Sequence, residues 1–352
     1  CKQAGIKVVM VTGDHKATAV AVAKQIGLLE KDFVDAENEK TKAILTGEEL
    51  DALSDMEFRD VVEHVTVYAR VAPQHKLRIV RMLRLLGHVV AVTGDGVNDA
   101  PALKDADVGV AMGIKGTDVA QEASDIVLAD DNFATIVKAV EEGRGIFDNI
   151  RKFIRFLLAA NFDEIITVSV AALAGLPLPL LPVHILWINL ITDGFPALAL
   201  TVDKKEPDIM RRPPRHPKKG ILHGMLPFIL VAALVGFAFS FGLFLLEYNQ
   251  TGDVAKARTM AVTVVIFSEL ALVFNCRSEK RSVFSINPLS NKLLLAAVAF
   301  SAVMQLVIIY VPLLQPFFHT VPLTAEDWIK VIAASSTGLF VLPRFFFRES
   351  RD

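Results

Sequence analysis

From Ile6 to Asp130 short β-branched runs alternate with helical patterns, and from about residue 153 onward the chain passes into long apolar stretches. In the first part IKVVMVTGD (6–14), HVTVYARV (64–71), HVVAVTGD (88–95), DVGVAM (107–112) and DIVLAD (125–130) read as strands. Helical patterns run from Lys16 to Ile26 and from Gln74 to Leu86 between them. Alternation of this kind predicts a parallel sheet covered by helices. Ligands of such sheets gather at the carboxyl ends of the strands, where Thr12, Asp14, Asp95 and Asp99 all fall. The acids are therefore expected to share one rim.

The second part offers six apolar segments, at about 153–174, 180–201, 225–246, 259–275, 292–313 and 328–347. Each comes close to the roughly 20 residues a helix needs to cross a bilayer. The pattern divides the chain into an α/β domain over 1–150 and an all-α six-helix membrane domain over 151–352. With 53% hydrophobic residues the whole is too apolar for a soluble protein of this length, so the lipid bilayer is one expected partner. Basic residues cluster before the first span (Arg151, Lys152, Arg155), after the second (Arg211, Arg212, Arg215, Lys218), after the fourth (Arg277, Lys280, Arg281) and at the end (Arg344, Arg348, Arg351). By the positive-inside rule both ends are expected in the cytosol. A net charge of −2 points to no nucleic-acid partner, and Cys1 and Cys276 form neither a disulfide framework nor a zinc pattern. The opening CKQAGIKVVMVTGD has no signal peptide and reads as the middle of a domain, so a piece of a longer protein is expected.

A glycine-rich DG turn after a strand is more often a hairpin than a site. In TGDGVNDAP, however, the turn follows a predicted strand and sets Asp99 one helical turn beyond Asp95, so both carboxylates can serve one cation. Paired carboxylates suit Mg2+, which keeps waters and bridges to phosphate oxygens. Thr12 in VTGD adds a hydroxyl and Lys76 in RVAPQHK a point charge, which together make a phosphoryl-transfer site.

The motifs TGDGVNDAPAL, MVTGDH, ARVAPQHK and ILWINLITDGFPALAL together resemble the P-type cation-transporting ATPases. The resemblance covers essentially the whole chain. It implies the carboxyl-terminal part of a phosphorylation domain of the α/β haloacid-dehalogenase-like (Rossmann-type) fold, followed by the last six transmembrane helices. It also implies Asp95 and Asp99 around Mg2+, Asn98 beside them, Thr12 and Lys76 on the phosphoryl group, and Gly13 and Asp14 in the nucleotide and hinge region, with ATP as substrate. No DKTGT stretch occurs, so the phosphorylated aspartate and the amino-terminal part of the same pump are expected elsewhere, and the piece alone is expected to be inactive.

Ionisable residues inside a membrane are costly and need a reason. Asn161 and Glu164 share a helix face, Asn189, Thr192 and Asp193 have i, i+3, i+4 spacing, and Glu269 lies in the fourth span. All offer oxygen, which suits a hard transported cation such as Ca2+ and not copper. NLITDG and DIMRRPPR resemble the sarcoplasmic-reticulum-type calcium pumps, and export of Ca2+ from the cytosol across the plasma membrane, ahead of an internal one, is the resulting expectation. Asp163 stands where such pumps carry a small residue, and its role stays open between ligand, proton carrier and packing. A pump for Mn2+, Na+ or H+, a membrane-anchored phosphatase and a non-catalytic ion-binding remnant are the rival readings.

Overall fold

The computed structural model describes residues 1–34 and 42–346, so the end of the sixth expected span and the terminal Arg348 and Arg351 lie outside the described residues. The chain divides into two compact units: Cys1–Glu142 with Asp208–Lys219, and Gly143–Pro207 with the described residues from Gly220 onward.

In the first unit the strands are β1 (Met10–Val11), β2 (Ile44–Thr46), β3 (Val67–Ala69), β4 (Ala91–Gly94), β5 (Val108–Met112) and β6 (Ile126–Leu128). The helices are α1 (Lys16–Gln25), α2 (Gly47–Ala52), α3 (Asp55–Val61), α4 (Pro73–Leu85), α5 (Ala100–Asp105) and α6 (Asp118–Glu122). Every pairing is parallel, as the alternation predicts, but the strands form two sheets, β1-β3-β2 and β4-β5-β6. Among the described residues β1 pairs only with β3 and β4 only with β5, so no strand there joins the sets. Thr46 and Ser54 cap α2 and α3, each accepting from the backbone N–H of a glutamate three residues on, whose carboxylate reaches back to the capping residue's N–H. The segment Asp208–Lys219, between two apolar stretches, belongs to this unit, and Gly5 (φ 70°) lies so close to Pro214 that a Cβ there would stand 2.8 Å from its Cδ.

The long helices follow: α7 (Phe133–Leu173), α8 (Pro182–Trp187), α9 (Gly194–Thr201), α10 (Leu226–Thr251), α11 (Val254–Asn275), α12 (Lys292–Tyr310), α13 (Gln315–Phe318) and α14 (Ala325–Ser335). Among the described residues five helical stretches are long and apolar enough to cross a membrane: α7, Pro182–Thr201, α10, α11 and α12. The sixth expected span breaks instead. After α14 the chain tightens into a 3-10 turn, Ser336–Phe340. There Ser336 and Thr337 hydroxyls donate to carbonyls three residues back, and Gly338 lies on the Ser268 carbonyl, where a Cβ would be 2.2 Å away. The buried Asn275 donates to the Gly338 and Leu339 carbonyls that the break leaves open. Just beyond the same end of α11, Asp203 is buried but accepts from Arg277 (3.0 and 3.3 Å), Lys152 (3.2 Å) and Asn291 (3.1 Å), tying α7, α9, α11 and α12 together.

Candidate functional site

In the first unit the rim is built from two strand ends and the start of α4. The chain leaves β1 in a turn where the Thr12 hydroxyl donates to the Asp14 carboxylate (3.0 Å) and accepts from the Asp14 N–H (3.2 Å). Gly13 and Asp14 are exposed. Beyond β4, Asp95 is exposed, whereas Asp99 folds back into the turn and is buried. Its Oδ1 accepts from Lys76 Nζ at 2.5 Å, and its Oδ2 from the N–H groups of Asp95 (3.3 Å) and Gly96 (3.4 Å). Gly94 makes this possible, since a Cβ there would stand 2.4 Å from the Cβ of Asp99. Asn98 is exposed on the 3-10 turn Val97–Asp99.

The structure therefore brings Lys76 and Asp99 together and keeps Thr12 and Asp14 within their own turn. The two aspartates of TGDGVND do not present equivalent carboxylates: Asp95 faces solvent and Asp99 is already engaged. A hard cation that keeps most of its waters fits the exposed Asp95 carboxylate, and Asp99 would join it only by exchanging Lys76. Among the described residues no three acidic, histidine or cysteine side chains are set to hold a metal ion by themselves.

One contributor had no sequence signal of its own. His75, beside Lys76, is buried; its Nδ1 accepts from the Ala72 N–H (3.0 Å), which leaves Nε2 to donate to Asp51 (2.9 Å). It pins the start of α4 and with it the position of Lys76.

In the second unit α8 and α9 are separated by a widened π-turn, Ile188–Thr192, in which the Asp193 N–H donates to the Ile188 carbonyl (2.8 Å). Such a turn leaves carbonyls without their helical donors. The Ser301 hydroxyl on α12, which the sequence also did not single out, reaches two of them, Ile191 (3.3 Å) and Thr192 (3.2 Å). Asn189 donates to Glu164 Oε2 on α7 (2.9 Å), joining two of the expected residues. Asn161 donates to its own helix at Leu157, and Thr192 to Ile188. Glu164, Asp193 and Glu269 are each at most 3% exposed. Yet one oxygen of Glu164 and both oxygens of Asp193 and of Glu269 have no hydrogen-bond partner. The charge of Glu269 is felt at close range by Asp193, Glu164 and Asp163, so the acids form one cluster.

Two family models match the chain: haloacid dehalogenase-like hydrolase over residues 1–107, and cation transporting ATPase, C-terminus, over 177–344. A protein of Bacillus subtilis (strain 168) named calcium-transporting ATPase is 51% identical over 344 residues, covering 97% of this chain. The chain belongs to the P-type cation-transporting ATPases. It spans 38% of the length of that relative and 39% of the endoplasmic reticulum calcium ATPase of Aspergillus fumigatus, to which it is 38% identical over its whole length. A probable cation-transporting ATPase F of Mycobacterium tuberculosis is 43% identical over 97% of the chain. In this P-type ATPase chain the sheet β1-β3-β2 and strand β4 lie within the hydrolase-like match, β5 and β6 lie beyond it, and the π-turn and Glu269 lie within the cation-transporting match.

Proposed function

We propose that this chain supplies the phosphoryl-handling rim and the cation-binding helices of an ATP-driven pump that exports Ca2+ from the cytosol through an aspartyl-phosphate intermediate. The observation that carries the reading is the set of buried carboxylate oxygens without donors on Glu164, Asp193 and Glu269. A buried charge left uncompensated costs several kcal/mol, so such a set calls for a ligand that brings positive charge. Oxygen donors from carboxylates and amides suit a hard divalent ion, and Asn161, Asn189 and Thr192 extend the same donor class. The names of the relatives support Ca2+ as that ion.

On the rim, the γ-phosphoryl group of ATP passes to a carboxylate oxygen of an aspartate that is not among these 352 residues, with ADP leaving. Mg2+, held by Asp95, would neutralise charge on the phosphoryl oxygens. Lys76 is placed to trade its Asp99 partner for one of those oxygens, and Thr12 to donate its hydroxyl to another. Gly13 and Asp14, with Asn98, shape the approach. The basic flanks support both ends of the chain in the cytosol, and the plasma membrane is the proposed location.

The test is uptake of radiolabelled Ca2+ into sealed membrane vesicles by the complete protein. ATP-dependent accumulation is expected, with Mn2+ and Na+ failing to replace Ca2+. Accumulation of another cation in preference to Ca2+ would reassign the cargo.

A further inference from the structure

Between Lys292 and Tyr310 the only polar side chains of α12 are Ser301 and Gln305, four residues apart and so on one face of the helix. Both are fully buried. Gln305 donates to the Thr263 hydroxyl on α11 (3.1 Å), and Asn291, which caps α12, donates to the Ala199 carbonyl (3.0 Å) and to Asp203 (3.1 Å). The helix is thus held on both sides of Ser301.

A hydroxyl on a membrane helix can return its hydrogen bond to its own helix, as Thr192, Thr259 and Thr263 do to carbonyls four residues back. Ser301 crosses to the π-turn instead, sharing one proton between the Ile191 (3.3 Å) and Thr192 (3.2 Å) carbonyls. The Thr192 carbonyl needs such a donor. In a regular helix it would accept from the N–H of residue 196, but that residue is a proline and has none. The same carbonyl shares a planar peptide with the Asp193 N–H, which is spent on the Ile188 carbonyl (2.8 Å). Ser301 therefore grips one side of this peptide and Ile188 the other. The Asp193 carboxylate accepts from no N–H or hydroxyl group, so its aim is set by the backbone that carries it.

We infer that Ser301 is a positioning residue of the cation site: from α12 it fixes the Thr192–Asp193 peptide, and with it the aim of Asp193, without touching the cation. The inference rests on the reading that Asp193 binds the transported ion. Without the Ser301 hydroxyl the Thr192 carbonyl has no donor at residue 196 to fall back on, and the peptide turns more freely. Asp193 then meets the cation from a wider range of positions, which weakens binding and leaves the phosphoryl-handling rim as it was.

The experiment is phosphoenzyme level against free Ca2+ in the complete protein, from ATP and separately from inorganic phosphate, for Ser301→Ala, Ser301→Thr and Asp193→Asn. Ser301→Ala removes a single oxygen atom and is expected to raise the Ca2+ midpoint about fivefold, the effect of one lost donor to a buried acceptor. Its maximum level at saturating Ca2+ and its level from inorganic phosphate are expected to match those of the unsubstituted protein. Ser301→Thr, which keeps the hydroxyl, is expected to keep the midpoint within about twofold. An unchanged midpoint in Ser301→Ala, with a shift in Asp193→Asn, overturns the inference and leaves the cation site standing. A fall in both phosphorylation routes in Ser301→Ala, or a shift in Ser301→Thr as large as that in Ser301→Ala, overturns it as well, because packing and not the hydrogen bond would then be at stake. An unchanged midpoint in Asp193→Asn overturns the cation-site reading itself.

Discussion

The rim of the first unit and the buried acids of the second use the same side-chain chemistry in opposite states. On the rim, the one buried carboxylate, Asp99, has both oxygens met, by Lys76 and by two backbone N–H groups, while Asp95 and Asp14 face solvent. Among the helices, oxygens of Glu164, Asp193 and Glu269 are buried and unmet. An unmet oxygen at the surface finds water; one in the interior costs about 1–3 kcal/mol, and more when charged. The rim is thus complete as a fold before substrate arrives, whereas the helical acids are complete only with a ligand. Asp203 sharpens the contrast, being equally buried in the same unit yet surrounded by Arg277, Lys152 and Asn291. Burial of an acid alone does not mark a site; burial without partners does.

The largest effect that separates the two regions is expected at the rim. Asp95→Asn in the complete protein should lower phosphoenzyme formation from both ATP and inorganic phosphate by about 10³-fold or more, the scale of electrostatic contributions to phosphoryl transfer. Equilibrium Ca2+ binding should be unchanged. Loss of Ca2+ binding in this variant would mean that the two regions do not function as distinct sites.

Next in size is Asp203→Ala, which leaves Lys152 and Arg277 buried without their anion. A destabilisation of about 3–5 kcal/mol is expected, read as a lowered thermal midpoint in detergent. A midpoint within a degree or two of the unsubstituted protein would remove Asp203 as the counter-example to the unpartnered acids.

The smallest effect is its pH dependence. Burial pushes the Asp203 carboxyl up, but the hydrogen bonds from Arg277 and the charges of Lys152 and Arg277 outweigh it and hold the group below its ordinary value of 3.8. A depressed carboxyl stabilises above its unfolded value and loses that contribution as pH falls through the folded one. The thermal midpoint difference between the unsubstituted protein and Asp203→Ala should therefore be flat at neutral pH and shrink only below about pH 4. A difference that shrinks between pH 8 and pH 6 would show that another group carries it.

The sequence made the parallel α/β character legible because β-branched runs alternate with helical ones over residues 6–130. It did not reveal β2, where only the short AILT run stands between the charged EKTK and GEEL. Nor did it reveal the two separate sheets. HVVAVTGD reads as one strand, yet β4 begins only at Ala91, and Val89 before it is 66% exposed; among the described residues no strand pairs with the other edge of β4. Hydropathy located the spans but not their breaks. The π-turn at Ile188–Thr192 depends on Ser301, more than a hundred residues away, to satisfy its carbonyls, and the break after α14 depends on Asn275. Side-chain spacing brought Asn189 and Glu164 under suspicion separately; only packing shows that they touch. The contact of Lys76 with Asp99 was hidden for the same reason, since spacing along a chain does not say which acid a lysine chooses.

The most direct test of the distinction between met and unmet acids is phosphoenzyme level against free Ca2+ in Asp193→Asn, measured in the complete protein from ATP and separately from inorganic phosphate. Asn keeps the volume of the side chain and deletes its charge. Losing contacts with a buried charge costs about 2–5 kcal/mol, so phosphorylation from ATP should require at least about 30-fold more Ca2+ or vanish. Phosphorylation from inorganic phosphate should persist, because the rim is intact, and Ca2+ should no longer inhibit it. An unchanged Ca2+ midpoint would contradict the assignment of Asp193 to the cation site, and loss of both routes would make it a structural residue.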